Sequence, residues 1–143
     1  MTAPEEIRSD YATVPRGSPL PWLIVGALVL GWLATFAMAR ARIVDEFKSI
    51  GAAPGGTDGY LQPVPRCGAN VLAEVPGRGP LADRTIVLAA HYDHLGKVHG
   101  GQAYWGADDN AAAVAILVEV GRKLVQEALP GRRVVLAAYD GEE

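Results

Sequence analysis

Residues 20–39 contain no charged side chain, and Leu, Ile, Val, Trp, Phe, Met and Ala fill nearly every position. A stretch of roughly 20 apolar residues is the length that spans a bilayer core, so it predicts a transmembrane helix or signal anchor. A buried helix of a soluble domain would normally show a polar face instead. Trp22 near one end and Arg40 and Arg42 past the other suit interface anchors. Ala37-Met38-Ala39 also resembles a small-residue cleavage site, so removal as a signal peptide is the alternative. Arg8 and Arg16 before the run nearly balance Arg40, Arg42 and Lys48 after it, and charge alone does not orient the segment.

The rest of the chain changes period. Residues 1–19 mix polar residues and Pro without periodicity and read as a solvated tail. Residues 40–68 read as a linker and lead-in: a short helical start at 44–50, one turn at most, and then Gly51, Pro54, Gly55, Gly56, Gly59, Pro63 and Pro65. The remainder, 69–143, forms the folded part. Residues 70–75 alternate as a strand, the Pro/Gly-rich turn at 76–80 ends it, and it is expected to pair with the strand at 85–91. That second strand leads through an acidic loop at 106–110 into a helix at 111–129 and a strand at 133–139. Two β-branched runs joined by an amphipathic helix make a β-α-β unit, with parallel strands and a right-handed crossover. The helix shows an apolar face of Val114, Leu117, Val118, Val120, Leu124 and Val125, and Asp108 is placed to cap it. Gly121 is its weak point, at about 1 kcal/mol relative to Ala.

Half of the 143 residues are apolar, enough for one modest domain. With 13 basic and 16 acidic residues the net charge is −3, and no Lys/Arg cluster stands out, which argues against a nucleic-acid partner. Cys67 is the one cysteine, so neither an intramolecular disulfide nor a cysteine-based zinc site can form. Nothing in the pattern speaks to oligomeric state.

The β-α-β topology gathers the chemistry. His91 and Asp93 leave the first strand, Asp108 and Asp109 lie in the loop entering the helix, and Glu142 and Glu143 leave the second strand. All fall on the C-terminal edge of one sheet, where open α/β folds hold their ligands. One imidazole and several carboxylates suit zinc, manganese or cobalt, with zinc foremost. At the spacing of His91 and Asp93 both side chains can face one side, so Asp93 can fix the imidazole tautomer. Asp109 can give one oxygen to each of two metals, Glu143 can ligate one of them, and Glu142 can take a proton from water. His94 and His99 read as ordinary loop residues.

His91-Tyr-Asp-His-Leu-Gly96, Gly106-Ala-Asp-Asp-Asn110 and Tyr139-Asp-Gly-Glu-Glu143 together resemble the zinc aminopeptidase and glutamate carboxypeptidase family. Phe47-Lys-Ser-Ile-Gly51, Tyr60-Leu-Gln-Pro-Val-Pro65 and Asn70-Val-Leu-Ala-Glu-Val-Pro-Gly77 are similar to that family's lead-in. The resemblance implies an α/β fold: part of a three-layer α/β/α zinc-peptidase domain with a mainly parallel sheet, here preceded by one transmembrane helix. It implies two co-catalytic Zn2+ ions and hydrolysis of peptide substrates by an exopeptidase of aminopeptidase type. By resemblance His91 binds one zinc, Asp109 bridges both, Glu143 binds the other, Glu142 is the general base and Asp93 orients His91, with a cis peptide expected between Asp109 and Asn110. The apolar run implies a single-pass membrane protein, and exported members of the family suggest that its domain faces away from the cytoplasm. Ala111-Ala112-Ala113 stands where the family usually has Ala-Ser-Gly, and the family draws a further Asp and His from segments after the Glu-Glu pair. The chain is therefore expected to match the first half of such a domain and to be inactive as written. The alternative is a catalytically inactive membrane protein carrying a truncated peptidase-like interaction module. A third reading on the same scaffold is a deacetylase or glutaminyl-cyclase-like activity.

Overall fold

A computed structural model describes residues 20–65, 68–96, 101, 103–128 and 131–143. The expectations for the 1–19 tail, Cys67 and His99 lie outside the described residues. The chain divides into two units, Met1–Leu33 and Ala34–Glu143. Helix α1 (Leu20–Ser49) begins in the first and ends in the second.

Within Ala34–Glu143 the strands are β1 (Ala53–Pro54), β2 (Leu61–Val64), β3 (Gly68–Val75), β4 (Thr85–His91) and β5 (Arg133–Tyr139). They form one sheet in the order β1-β3-β5-β4, with β2 also on β3. β4 and β5 are parallel and level, Thr85 opposite Arg133 and His91 opposite Tyr139, so both chains emerge at the same edge. β3 runs antiparallel to β5, and β1 and β2 run antiparallel to β3.

Two expectations are corrected here. The sheet is mixed rather than mainly parallel, and it carries two helices among the described residues rather than a three-layer sandwich. β3 pairs with β5, not with β4, the next strand in sequence. The reason is burial: β5 is the most apolar strand, with Leu136 and Ala138 fully enclosed, and it takes the centre of the sheet between β3 and β4.

Helix α2 (Ala112–Glu127) crosses from β4 to β5 and buries Val114, Leu117, Val118 and Gly121, a spacing of 3, 1 and 3 residues that keeps one face inward. The core beneath it joins Ile43 and Phe47 of α1, and Ile50 just past its end, to Val71, Ala73, Val134 and Leu136 of the sheet. The lead-in is thus structural: α1 continues to Ser49 where only one helical turn was expected, and Phe47 is fully buried. Gly121 lies at a close contact between α2 and the core. A Cβ there would lie 2.5 Å from Leu136 Cδ1 and 3.0 Å from Ile50 Cδ1.

Among the described residues no helix is long and apolar enough to cross a membrane. The transmembrane helix expected over 20–39 is corrected accordingly, and with it the single-pass membrane placement. The charge-free run belongs to a 30-residue helix whose later turns carry Arg40, Arg42, Asp45, Glu46 and Lys48. Those turns give their apolar positions to the domain core. Arg40, expected to anchor at an interface, instead pairs with Asp140 at 3.0 Å.

Candidate functional site

Because β4 and β5 end level, the turns that follow them lie side by side; the Tyr92 N–H donates to the Tyr139 carbonyl at 2.9 Å and extends the pairing one step. Alternation along this extended segment sends His91 and Asp93 to one side and Tyr92 to the other. Asp93 is buried, and its Oδ2 accepts the Glu143 backbone N–H at 3.0 Å, tying the two turns together. Its Oδ1 has no hydrogen-bond partner. His91 Nδ1 lies 3.5 Å from that oxygen but closer, at 3.2 Å, to the Asp93 carbonyl. With Nδ1–H donating to this carbonyl, Nε2 is left facing the carboxylates across the edge.

Those carboxylates come from the other two segments. Asp109 leaves a wide turn at Ala107–Ala111 that precedes α2, entered through Gly106 in the left-handed region (φ 66). Any side chain at 106 would also meet the His94 ring at 2.9 Å. The Asp109–Asn110 peptide is cis, as the resemblance implied. Asp108 does not cap α2: the N-cap position is Ala111, and no side chain bonds there. His91 Nε2 lies 3.1 Å from Asp109 Oδ1 and 4.0 Å from Glu142 Oε2. Burial opposes charging of His91, yet the Asp93 carbonyl and the carboxylates of Glu142, Asp109 and Asp93 outweigh it and raise its pKa.

The donor set can be tested against a zinc ion. Two ligands at about 2.0–2.1 Å from a tetrahedral zinc stand roughly 3.3 Å apart, so His91 Nε2 and Asp109 Oδ1 have the spacing of co-ligands. A neutral imidazole would present its Nε2 lone pair to a carboxylate, a repulsive contact that a proton or a cation relieves. The fit extends to two ligands. Among the described residues no cluster of three or more His, Cys, Asp or Glu could hold a metal ion. Glu143 joins the site here through its backbone. Beside the pair, a cavity of about 360 Å3 is lined by Leu95, Tyr104, Trp105, Asp108, Asp109 and Glu143.

Sequence reasoning missed a second cluster beneath this edge. Asp140 Oδ2 accepts from Arg40 Nη2 at 3.0 Å and from the Ala69 N–H at 3.2 Å. The Tyr92 hydroxyl accepts from Arg40 Nε at 3.0 Å and directs its single proton between the Ala69 carbonyl at 2.7 Å and Asp140 Oδ2 at 2.8 Å. The Asp140 N–H donates to Asn70 Oδ1 at 3.0 Å. Alternation announced that Tyr92 faces away from His91, but nothing local pairs it with an arginine 52 positions earlier. His94, read as an ordinary loop residue, stacks on Phe36 with ring centroids 6.0 Å apart and accepts the Gly96 N–H at 2.9 Å.

The sequence profile described as Peptidase family M28 matches residues 70–143, more than half of the chain. The chain belongs to that peptidase family. The matched residues run from β3 through the Glu142–Glu143 pair and so contain every carboxylate and the imidazole described above. The chain is also similar to the uncharacterized protein YfbL of Escherichia coli strain K12, at 42% identity over 77 residues. That match covers 52% of this chain and 22% of the relative, so the chain spans under a quarter of that protein's length.

Proposed function

We propose that this peptidase-family chain contributes the first part of a zinc-dependent exopeptidase site of aminopeptidase type, acting on peptide substrates. The observation that carries the reading is the approach of His91 Nε2 to Asp109 Oδ1 at 3.1 Å, with Glu142 Oε2 at 4.0 Å, on the level ends of two parallel strands. His91 and Asp109 would hold one zinc, Asp109 would share its second oxygen with another, and Glu143 would serve that other ion. Zinc bound there supplies Lewis acidity that polarises a peptide carbonyl and acidifies water. Asp93 holds the Glu143 turn by its backbone and stands behind His91, fixing where the imidazole faces. Glu142 is more than half exposed and engages no hydrogen bond among those described, so it is free to accept a proton from water and return it to the leaving amine.

The test uses protein containing the complete catalytic domain, with zinc content and leucine p-nitroanilide hydrolysis measured together. Glu142→Gln is expected to keep its zinc while losing about 10^2–10^4-fold in turnover, because it removes the proton acceptor and leaves the ligands. Asp109→Ala is expected to lose zinc. Equal zinc loss in both variants would refute the assignment of base and bridge. Wild-type protein that binds no zinc would favour an inactive, peptidase-like interaction module instead.

A further inference from the structure

The structure assigns Arg40 a positioning role: from α1 it holds, through Asp140 and Tyr92, the two turns that carry the candidate metal ligands. The inference rests on the zinc reading above. Tyr92 lies between His91 and Asp93, and Asp140 is two residues before Glu142, so one guanidinium bonded to both side chains braces both turns at once. The Asp140 side chain is only 7% exposed, and Arg40 is the one cation paired with it among the described residues. Removing that cation leaves a buried carboxylate uncompensated, which drives movement of its turn. The Tyr92 hydroxyl then also loses its Arg40 donor, and its own bonds to Ala69 and Asp140 are no longer held in place.

The cluster is also sterically specified. Gly68, at the start of β3, has φ 147, and a Cβ there would collide with Asp140 Oδ2 and lie 2.5 Å from Arg40 Nη2. β3, α1 and the two catalytic-edge turns therefore close on one point with no room for a larger residue at 68. Arg40 lies outside the 70–143 family match, so this role belongs to the helix that precedes the matched region. A lysine supplies the charge but not the fork that reaches a phenol and a carboxylate together.

The experiment measures zinc affinity of the protein by competition with a chromogenic chelator, with thermal melts of the metal-free form alongside. Arg40→Ala and Arg40→Lys are expected to fold and to bind zinc about 10–100-fold more weakly, the range for residues that orient metal ligands. Adding Asp140→Asn to Arg40→Ala removes the uncompensated charge and is expected to recover most of the affinity. Folded Arg40→Ala with wild-type affinity, or a lower melting temperature with unchanged affinity, overturns the positioning role and leaves the zinc reading intact. If Arg40→Ala does not fold, Tyr92→Phe, which keeps the ring and deletes the shared hydroxyl, has to show the weakened affinity or the role is refuted. Wild-type protein that binds no zinc overturns the zinc reading and this inference with it.

Discussion

The Asp93 carboxylate accepts the backbone N–H of Glu143 at 3.0 Å, so a side chain from the end of β4 fastens the turn that follows β5. The two residues are 50 positions apart, and this bond sets the distance between the His91 side of the candidate site and its Glu142–Glu143 side.

Removing that fastener is expected to cost stability. Asp93→Ala leaves the Glu143 N–H without its partner and is expected to lose about 1–3 kcal/mol by urea denaturation. Asp93→Asn retains an oxygen acceptor and is expected to lose less. An alanine variant as stable as the parent would mean that the bond contributes nothing.

Gly121→Ala opposes two effects of known size. Alanine gains about 1 kcal/mol in helix propensity, whereas its methyl enters a core already in contact with Leu136 and Ile50, at an expected cost of about 1–3 kcal/mol. Leu136 is fully buried in a close-packed core, so overpacking is expected to win. A lower melting temperature is the predicted result. A higher one would show that the core yields.

Tyr92 makes stability pH-dependent at the alkaline end. Burial, together with the neighbouring Asp140 carboxylate, pushes its phenol well above the ordinary value of 10.0 and outweighs the opposing pull of Arg40. The folded state therefore holds the proton more tightly than the unfolded state. This contribution is complete below pH about 10 and is lost as pH rises from there through the folded-state pKa. Denaturant midpoints of the parent are expected to fall more steeply above pH about 10 than those of Tyr92→Phe, which has no phenol to titrate. Parallel curves for the two proteins would contradict this account.

Periodicity along the chain determined the β-α-β unit. Alternation and β-branching gave two strands, a 3.6-residue apolar face gave the helix between them, and a crossover of that kind forces the strands parallel and their ends to one edge. His91, Asp109 and Glu142 come together at that edge because side-chain chemistry at strand ends is a local property once the topology is known. Tertiary structure decided the rest. Which strand takes the centre of the sheet depends on burial: β5 lies between β3 and β4, so β3 pairs with β5 although β4 follows β3 in sequence. The same holds for the apolar run at 20–39, whose composition alone pointed to a bilayer, while the helix it belongs to continues into turns that fill a core with Ile43 and Phe47. Arg40 shows the limit most sharply: an arginine after an apolar stretch looks like an interface anchor, and only the fold brings it within 3.0 Å of an aspartate 100 residues away. Local pattern carries period and strand-end chemistry, but the cap expected at Asp108 does not form, and long-range partners are chosen by burial and charge compensation among groups the chain has not yet brought together.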